Sequence, residues 1–308
     1  MSVFTSLHPT LQELLLTGLG WDDLRPVQTE TYISVTSGAD TLVLAPTAGG
    51  KTESAFFPVI DGILKHPSEH LSAIYLSPLK ALINDQLDRI LFLCARTGLS
   101  AAVQHGDVSD RDRFDFSGSE HADILLTTPE SLEVLLSDAK TKNAFNEVRY
   151  LIIDEIHAFM ESDRGVHLRC LMDRLELLGK HRMIRIGLSA TVGNPDELLD
   201  WFSGPDRKKQ LVSIPSPPSK KQFTFVVEPE FAGQVRAIAG SVSGKKSLVF
   251  TESRSLAEKL VIPLRDELPS AFLHHSSVSP QDREAAELSF GQAGGTCVIC
   301  TSTMELGV

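Results

Sequence analysis

Two short strings in this sequence hold the residue types that phosphate chemistry requires. Residues Ala45 to Thr52 read APTAGGKT, after the apolar run TLVLA and before a helical pattern. The backbone N–H groups of a small-residue loop that opens a helix point at an anion, and the helix terminus adds its dipole. Thr47, Ala48, Gly49 and Gly50 would form that cradle, Lys51 would bring a point charge to a γ-phosphate, and Thr52 a hydroxyl ligand to Mg2+. The general pattern begins with glycine where this chain has Ala45. On this segment alone, a chance Gly-Lys-Thr at a strand-helix turn is an equal reading.

The second string, Asp154-Glu155-Ile156-His157, comes straight after the apolar run RYLII. Carboxylates at the end of a buried strand are costly unless something compensates them, and nucleotide-bound Mg2+ is a natural compensator. Asp154 is then expected to hold the metal, directly or through water, and Glu155 to orient and deprotonate an attacking water. An acidic pair at a solvated strand end is the plainer reading, and the phosphate loop upstream weighs against it. Together the two strings predict nucleotide hydrolysis.

Such residues need a scaffold, and the chain supplies short apolar runs alternating with helical patterns: TLVLAP, SAIYLSP, AAVQHG, DILLTTP, RYLIIDE and IRIGLSA. That alternation predicts a parallel sheet with helices on both faces, and ligand-binding residues at its carboxyl edge. Residues 8–17 read as a short amphipathic helix stopped at Gly18, and Pro58 as a point where the helix after Lys51 kinks or re-forms. Residues 214–222, IPSPPSKKQ, break the pattern and read as a semi-rigid linker. Beyond it the alternation restarts with FTFVVE, SLVFTES, AFLHHSS and TCVICTS, interleaved with helical stretches. The expected organisation is a first α/β domain over 1–213, the linker at 214–222, and a partial second α/β domain over 223–308.

Composition bounds the rest. The 308 residues allow two domains; 42% hydrophobic and 22% charged residues describe an ordinary globular chain. No apolar run approaches the roughly 18 residues that span a bilayer, and the N-terminus lacks the basic lead of a secretory signal, so a cytoplasmic location and no membrane partner are expected. The four cysteines give no disulfide framework. Cys297 and Cys300 have metal-site spacing, but in a strand residues three apart face opposite ways, so a pair of core thiols is the favoured reading. A net charge of −11 argues against coating nucleic acid through bulk positive charge, while leaving room for a local basic groove.

With both strings in place, the chain resembles the superfamily 2 DEAD/DEAH-box helicases, within them the Lhr-type group, over almost its whole length. Arg25-Pro26-Val27-Gln28 is similar to the segment that reads adenine, which implies ATP as the nucleotide. Ser77-Pro78-Leu79-Lys80 is similar to motif Ia and Thr127-Thr128-Pro129 to motif Ib; the resemblance implies that Pro78, Lys80, Thr128 and Pro129 contact a nucleic-acid backbone. Ser189-Ala190-Thr191 resembles motif III, which implies that Ser189 and Thr191, with His157, couple nucleotide state to strand grip. Val249 to Arg254 resembles motif IV and Thr301 to Val308 motif V, which adds Thr251, Arg254, Thr301 and Ser302 to the strand-binding set. The stretch Glu161 to Leu168, ESDRGVHL, is similar to the Lhr-type sequence.

The residues bear this out in part: Thr128, Ser189, Thr191, Thr251 and Thr301 are short hydroxyl donors at strand ends, suited to phosphate oxygens. For each, capping the next helix is an equal reading, and His157 can equally be a packed histidine. With three Tyr and two Trp there is no evident stacking platform, so backbone contacts would dominate any grip.

The resemblance implies tandem RecA-like domains of the P-loop NTPase class, the second incomplete. Nothing follows Val308 where the family carries motif VI, whose arginines reach the γ-phosphate. An arginine finger is worth a factor of about 10³ to 10⁵, so ATP binding with little turnover is expected. A second chain that completes the motor, a fragment of a longer gene and a non-motor protein are three explanations. The expected function is an ATP-dependent helicase or translocase core on single-stranded or partly duplex nucleic acid, DNA ahead of RNA. The alternative is a nucleotide-gated nucleic-acid-binding module without motor activity; a small-molecule kinase would leave the second domain unexplained.

Overall fold

The computed structural model describes residues 2–46, 49–106, 122–160, 162–190, 192–213, 222–292 and 294–301. The chain divides into two compact units, residues 1–218 and 219–308.

The first unit is built on seven parallel strands: β1 (Asp40–Leu44), β2 (Ala73–Leu76), β3 (Ala101–Gln104), β4 (Ile124–Thr127), β5 (Tyr150–Ile153), β6 (Ile184–Ser189) and β7 (Lys209–Ser213). Their order across the sheet is β3-β4-β2-β5-β6-β1-β7. Helices α1 (Pro9–Glu13), α2 (Pro26–Thr36), α3 (Lys51–Lys65) and α4 (Lys80–Thr97) cover one face, packing Val27, Phe56, Phe57 and Ile90 on Val43, Tyr75 and Ile152. Helices α5 (Pro129–Ser137), α6 (Asp163–Leu178) and α7 (Pro195–Ser203) cover the other, packing Leu132, Leu171 and Phe202 on Leu42, Ile74 and Leu151. Successive strand residues thus enter opposite cores, which is why these strands read as unbroken apolar runs rather than alternating ones.

The second unit has three parallel strands among its described residues, β8 (Ser247–Phe250), β9 (Ala271–His274) and β10 (Cys297–Cys300), in the order β8-β10-β9. Helices α8 (Phe231–Val242) and α9 (Arg254–Glu267) pack on one face. Helix α10 (Pro280–Gly291) packs through Ala286 on the other. Cys297 lies in the first core and Cys300 in the second, so the two thiols face apart as strand geometry requires. Burial pushes Cys300 up to about 11 and also raises Cys297.

Two local expectations change, at the first helix and at FTFVVE. The first helix does not stop at Gly18: after α1 a π-helical turn runs Leu14–Leu19 and ends at Gly20, whose φ of 68° only glycine adopts freely. Pro58 sits inside α3 without ending it. FTFVVE is not a strand: residues 222–229 have no hydrogen-bonded neighbour strand among the described residues, and Phe225 and Val227 are 91% and 92% exposed. A strand exists only where a partner completes its ladder, which side-chain pattern cannot supply. Conversely, β7, a short polar-flanked edge strand, was not visible in the pattern. Among the described residues, no helix is long and apolar enough to cross a membrane.

At the amino edge of the first sheet, Asp40 is fully buried and accepts from the Arg185 backbone N–H at 3.0 Å and from Arg207 Nε and Nη2 at 2.5 and 3.0 Å. Arg207 Nη1 reaches Glu176 Oε1 at 2.6 Å, and buried Arg185 donates to the Phe202 carbonyl at 2.6 Å. Removing one partner of a buried pair leaves the other charge uncompensated, which costs about 3–5 kcal/mol. Arg207→Ala is therefore expected to lower urea-unfolding stability by about that amount, and the Asp40→Asn, Arg207→Met double variant to recover part of it.

Candidate nucleotide site

Between β1 and α3, Pro46, Gly49 and Gly50 come into close contact. The Gly49 N–H donates to the Pro46 carbonyl at 2.9 Å, and a Cβ on Gly49 would stand 2.9 Å from that same oxygen. Gly50 caps α3 with φ 83°, the left-handed region that excludes most side chains. The fifteen-residue helix then points its amino end into the loop. Thr47 and Ala48 lie outside the described residues. Lys51, 12% exposed, opens the helix, and the Thr52 hydroxyl donates to Gln86 Oε1 at 3.1 Å.

The acidic string leaves the end of β5 two strands away. Asp154 is held by its own N–H to the Leu76 carbonyl at 2.8 Å, while its carboxylate accepts from the Glu155 N–H at 2.9 Å and the Tyr75 hydroxyl at 2.5 Å. Burial pushes its carboxyl up to about 6, against the lowering by the Tyr75 hydrogen bond. Glu155 adopts φ 41°, the only positive φ of a non-glycine residue among those described. Such a conformation costs about 1–3 kcal/mol and persists where surroundings over-determine it. The turn sets the Glu155 carboxylate 3.7 Å from Lys51 Nζ and 3.4 Å from His157 Nδ1. His157 Nδ1 is also 2.9 Å from Ser189 Oγ at the end of β6.

Sheet order explains the convergence. β6 lies between β1 and β5, and the pairs Leu44↔Ser189 and Ile153↔Gly187 hold the three carboxyl ends nearly level. Gly187 keeps the middle strand open to its neighbours: a Cβ there would come within 3.1 Å of Ile156 and 3.3 Å of Leu42.

Arg25 and Gln28, at the start of α2, arrive over the same loop. Gln28 is fully buried, its Oε1 accepts the Arg25 N–H at 2.9 Å, and its Nε2 has no partner among the described residues. A Cβ at Gly50 would lie 3.1 Å from that Nε2 and 3.5 Å from Arg25 Nη1. The Arg25 guanidinium stacks 5.0 Å from the Trp21 ring centroid.

These features fit a nucleotide: an orphaned amide donor, two glycines with no room for a side chain, a lysine and a helix terminus. They also fit Mg2+. Among the described residues, no three His, Cys, Asp or Glu side chains converge as a metal cage. Thr52 and the buried Asp154 instead match an ion that takes its remaining ligands from phosphates and water.

The strand-facing candidates divide between the units. Pro78, Lys80, Thr128 and Pro129 follow β2 and β4 at the same carboxyl edge as the nucleotide site. Thr128 caps α5, its Oγ1 accepting from the Ser131 N–H at 3.4 Å, so the capping reading is the one its hydrogen bonds display. Lys80 Nζ lies over the turn after β3, 3.0 Å from where a Gly106 Cβ would stand. In the second unit, the Thr251 hydroxyl donates to the Cys300 carbonyl at 3.2 Å, Arg254 Nη1 to Ser277 Oγ at 2.9 Å, and the Thr301 N–H to the His274 carbonyl at 3.4 Å. Thr191 and Ser302 lie outside the described residues. Sequence reasoning missed Tyr75, Gln86 and Trp21. Only Tyr75 left a signal, since a tyrosine inside an apolar strand must find a partner for its hydroxyl.

Residues 25–198 match the DEAD/DEAH box helicase family. The chain is 31% identical to the Lhr helicase/probable uracil glycosylase of Mycolicibacterium smegmatis, over 92% of this chain and 23% of that protein. It is 30% identical to the ATP-dependent helicase Lhr-Core of Methanothermobacter thermautotrophicus, over 99% of this chain and 39% of that protein. Its fold superposes with a TM-score of 0.80 on the Mycobacterium smegmatis helicase Lhr bound to ssDNA and AMP-PNP, at 29% identity, covering all of this chain and 43% of that one. The chain thus spans less than half the length of each of these three.

The folded value of about 6 for Asp154 lies above the ordinary carboxyl value of 3.8, so its contribution to stability is favourable at low pH and is lost as pH rises through about 6. Asp154→Asn is therefore expected to raise the melting temperature of the nucleotide-free chain, more at pH 7.5 than at pH 5, while abolishing Mg-dependent nucleotide binding. Calorimetry at the two pH values checks it.

Proposed function

The chain belongs to the DEAD/DEAH box helicase family, and from that premise we propose that it is the ATP-driven core of a helicase or translocase that follows nucleic acid, DNA ahead of RNA. The cluster of Lys51, Glu155, His157 and Ser189 carries this reading. It links a phosphate-facing lysine, a carboxylate able to act on water and the end of a third strand within single contacts.

In this reading Thr47, Ala48, Gly49 and Gly50 cradle the phosphates, and Lys51 neutralises the γ-phosphate. Arg25 and Gln28 hold the adenine, the free Nε2 of Gln28 being the donor that a ring nitrogen accepts. Mg2+, held by Thr52 and Asp154, would neutralise charge on the phosphate oxygens. Thr52 must then release Gln86, and Glu155 must exchange Lys51 for a water whose proton its carboxylate takes. Any movement of Glu155 reaches Ser189 through His157 and, one residue past Ala190, Thr191. Pro78, Lys80, Thr128 and Pro129 grip the strand from the first unit. Thr251, Arg254, Thr301 and Ser302 do so from the second, with 214–222 as the linker between two RecA-like domains over 1–213 and 223–308. The ssDNA and AMP-PNP bound to the Mycobacterium smegmatis relative support the pairing of strand and ATP. A cytoplasmic location suits such an activity, and a second chain that completes the motor is part of the proposal to be tested.

The test is ATP hydrolysis by the purified chain with and without single-stranded DNA. We expect Mg-ATP binding that Lys51→Ala removes, and the low strand-stimulated turnover of the chain alone to fall by at least about 100-fold in Glu155→Gln, the lower bound of general acid–base contributions. Mg-ATP binding without stimulated turnover would favour the nucleotide-gated module, with a companion chain sought by restoring hydrolysis. A chain that binds no ATP would overturn the proposal.

A further inference from the structure

The ESDRGVHL stretch has no part in the chemistry above, yet the side chain at its centre touches three separate pieces of the first unit. Arg164 Nη2 donates to the Pro78 carbonyl at 2.8 Å, and Nε donates to Glu130 Oε1 at 2.8 Å. Its guanidinium carbon stands 5.4 Å from the Phe159 ring centroid. Pro78 belongs to the loop after β2, Glu130 to the first turn of α5 beside Thr128 and Pro129, and Phe159 to the 3-10 turn Ile156–Phe159 that leaves Glu155.

The backbone around Arg164 is tied to that turn. Ser162 Oγ donates to the Phe159 carbonyl at 2.9 Å and accepts from the Gly165 N–H at 3.3 Å, capping α6. A Cβ on Gly165 would collide with the Phe159 carbonyl, so the helix can sit this close only with glycine there. The hydrolytic carboxylate, the 3-10 turn, the α6 cap and both loops proposed to face the strand therefore form one contiguous path through Arg164.

We propose that Arg164 is a positioning residue that couples the nucleotide site to the strand-facing loops, an inference that rests on the helicase-core reading. Stability alone does not account for it. Arg164 and Glu130 are 38% and 55% exposed, and ion pairs that open to water contribute little. A staple between α5 and α6 already exists in Arg174, whose Nη1 meets both Glu133 oxygens at 2.6 and 2.7 Å, and which touches neither Pro78 nor Phe159 in these contacts. What Arg164 adds is geometry: one planar fork fixes a carbonyl and a carboxylate from two loops while its face rests on the turn beside Glu155. A lysine, with a single compact ammonium, cannot hold that arrangement.

The experiment measures binding of the full chain to a fluorescein-labelled oligo-dT by anisotropy, with and without Mg-AMP-PNP, in wild type, Arg164→Ala, Arg164→Lys and Arg174→Ala. The wild type and Arg174→Ala are expected to show at least a roughly fivefold change in strand affinity on adding nucleotide, the low end of allosteric couplings. In both Arg164 variants that ratio falls to within about twofold of one, with AMP-PNP affinity held within about twofold of wild type. Glu130→Gln, which keeps the helix turn but removes the charge, should lower the ratio part-way and carries the test if Arg164→Ala does not fold. An undiminished ratio in the Arg164 variants overturns the inference, and so does an equal loss in Arg174→Ala, which would assign coupling to helix packing. A wild-type chain that binds both ligands without coupling overturns it too, while leaving the binding reading intact. One that binds neither defeats the helicase-core reading itself.

Discussion

A carboxylate buried at the end of an apolar strand must be met by a hydrogen-bond donor or a cation, and in this protein much of the first unit's upper edge is arranged around that requirement at Asp154. Tyr75 from β2 and the Glu155 backbone N–H supply the donors. Closing the Glu155 N–H onto Asp154 goes with the left-handed turn at Glu155, and that turn carries its side chain toward Lys51 and His157. One buried charge thus accounts for the backbone strain, the orientation of the second carboxylate and the reach to Ser189.

The two ends of the same sheet treat charge differently. At the amino edge Asp40, Arg207, Glu176 and Arg185 are closed into short, multiply bonded contacts. At the carboxyl edge the Glu155 carboxylate stands 3.7 Å from Lys51 Nζ and 3.4 Å from His157 Nδ1, and Gln28 Nε2 has no partner among the described residues. The first arrangement holds a fold together; the second leaves interactions for something to complete. A sheet whose strands all run one way makes this division natural, because every strand delivers its following loop to the same edge.

Much of this was legible from residue order. The phosphate loop and the acidic string each followed an apolar run, and both lie at strand ends as parallel-sheet logic requires. The opposite facing of Cys297 and Cys300 followed from strand periodicity alone. FTFVVE was misread because its pattern describes a strand only if a neighbour pairs with it. The polar edge strand β7 was missed because it has one neighbour and little apolar content. Thr128 carried two readings of equal weight, and only its hydrogen bonds displayed the cap.

The sequence by itself determined the chemistry on offer: which side chains can hold phosphate, which can act on water, and that strands and helices alternate to carry them. It did so because those properties depend on residue type and local spacing. Only the tertiary structure decided who meets whom. The order of strands placed β6 between β1 and β5, which joins His157 to Ser189, and the packing of α6 against α5 brought Arg164 to Pro78 and Glu130. Such contacts join residues tens of positions apart, and the free energy that selects them comes from burying whole faces of the sheet, a property no local stretch of sequence contains.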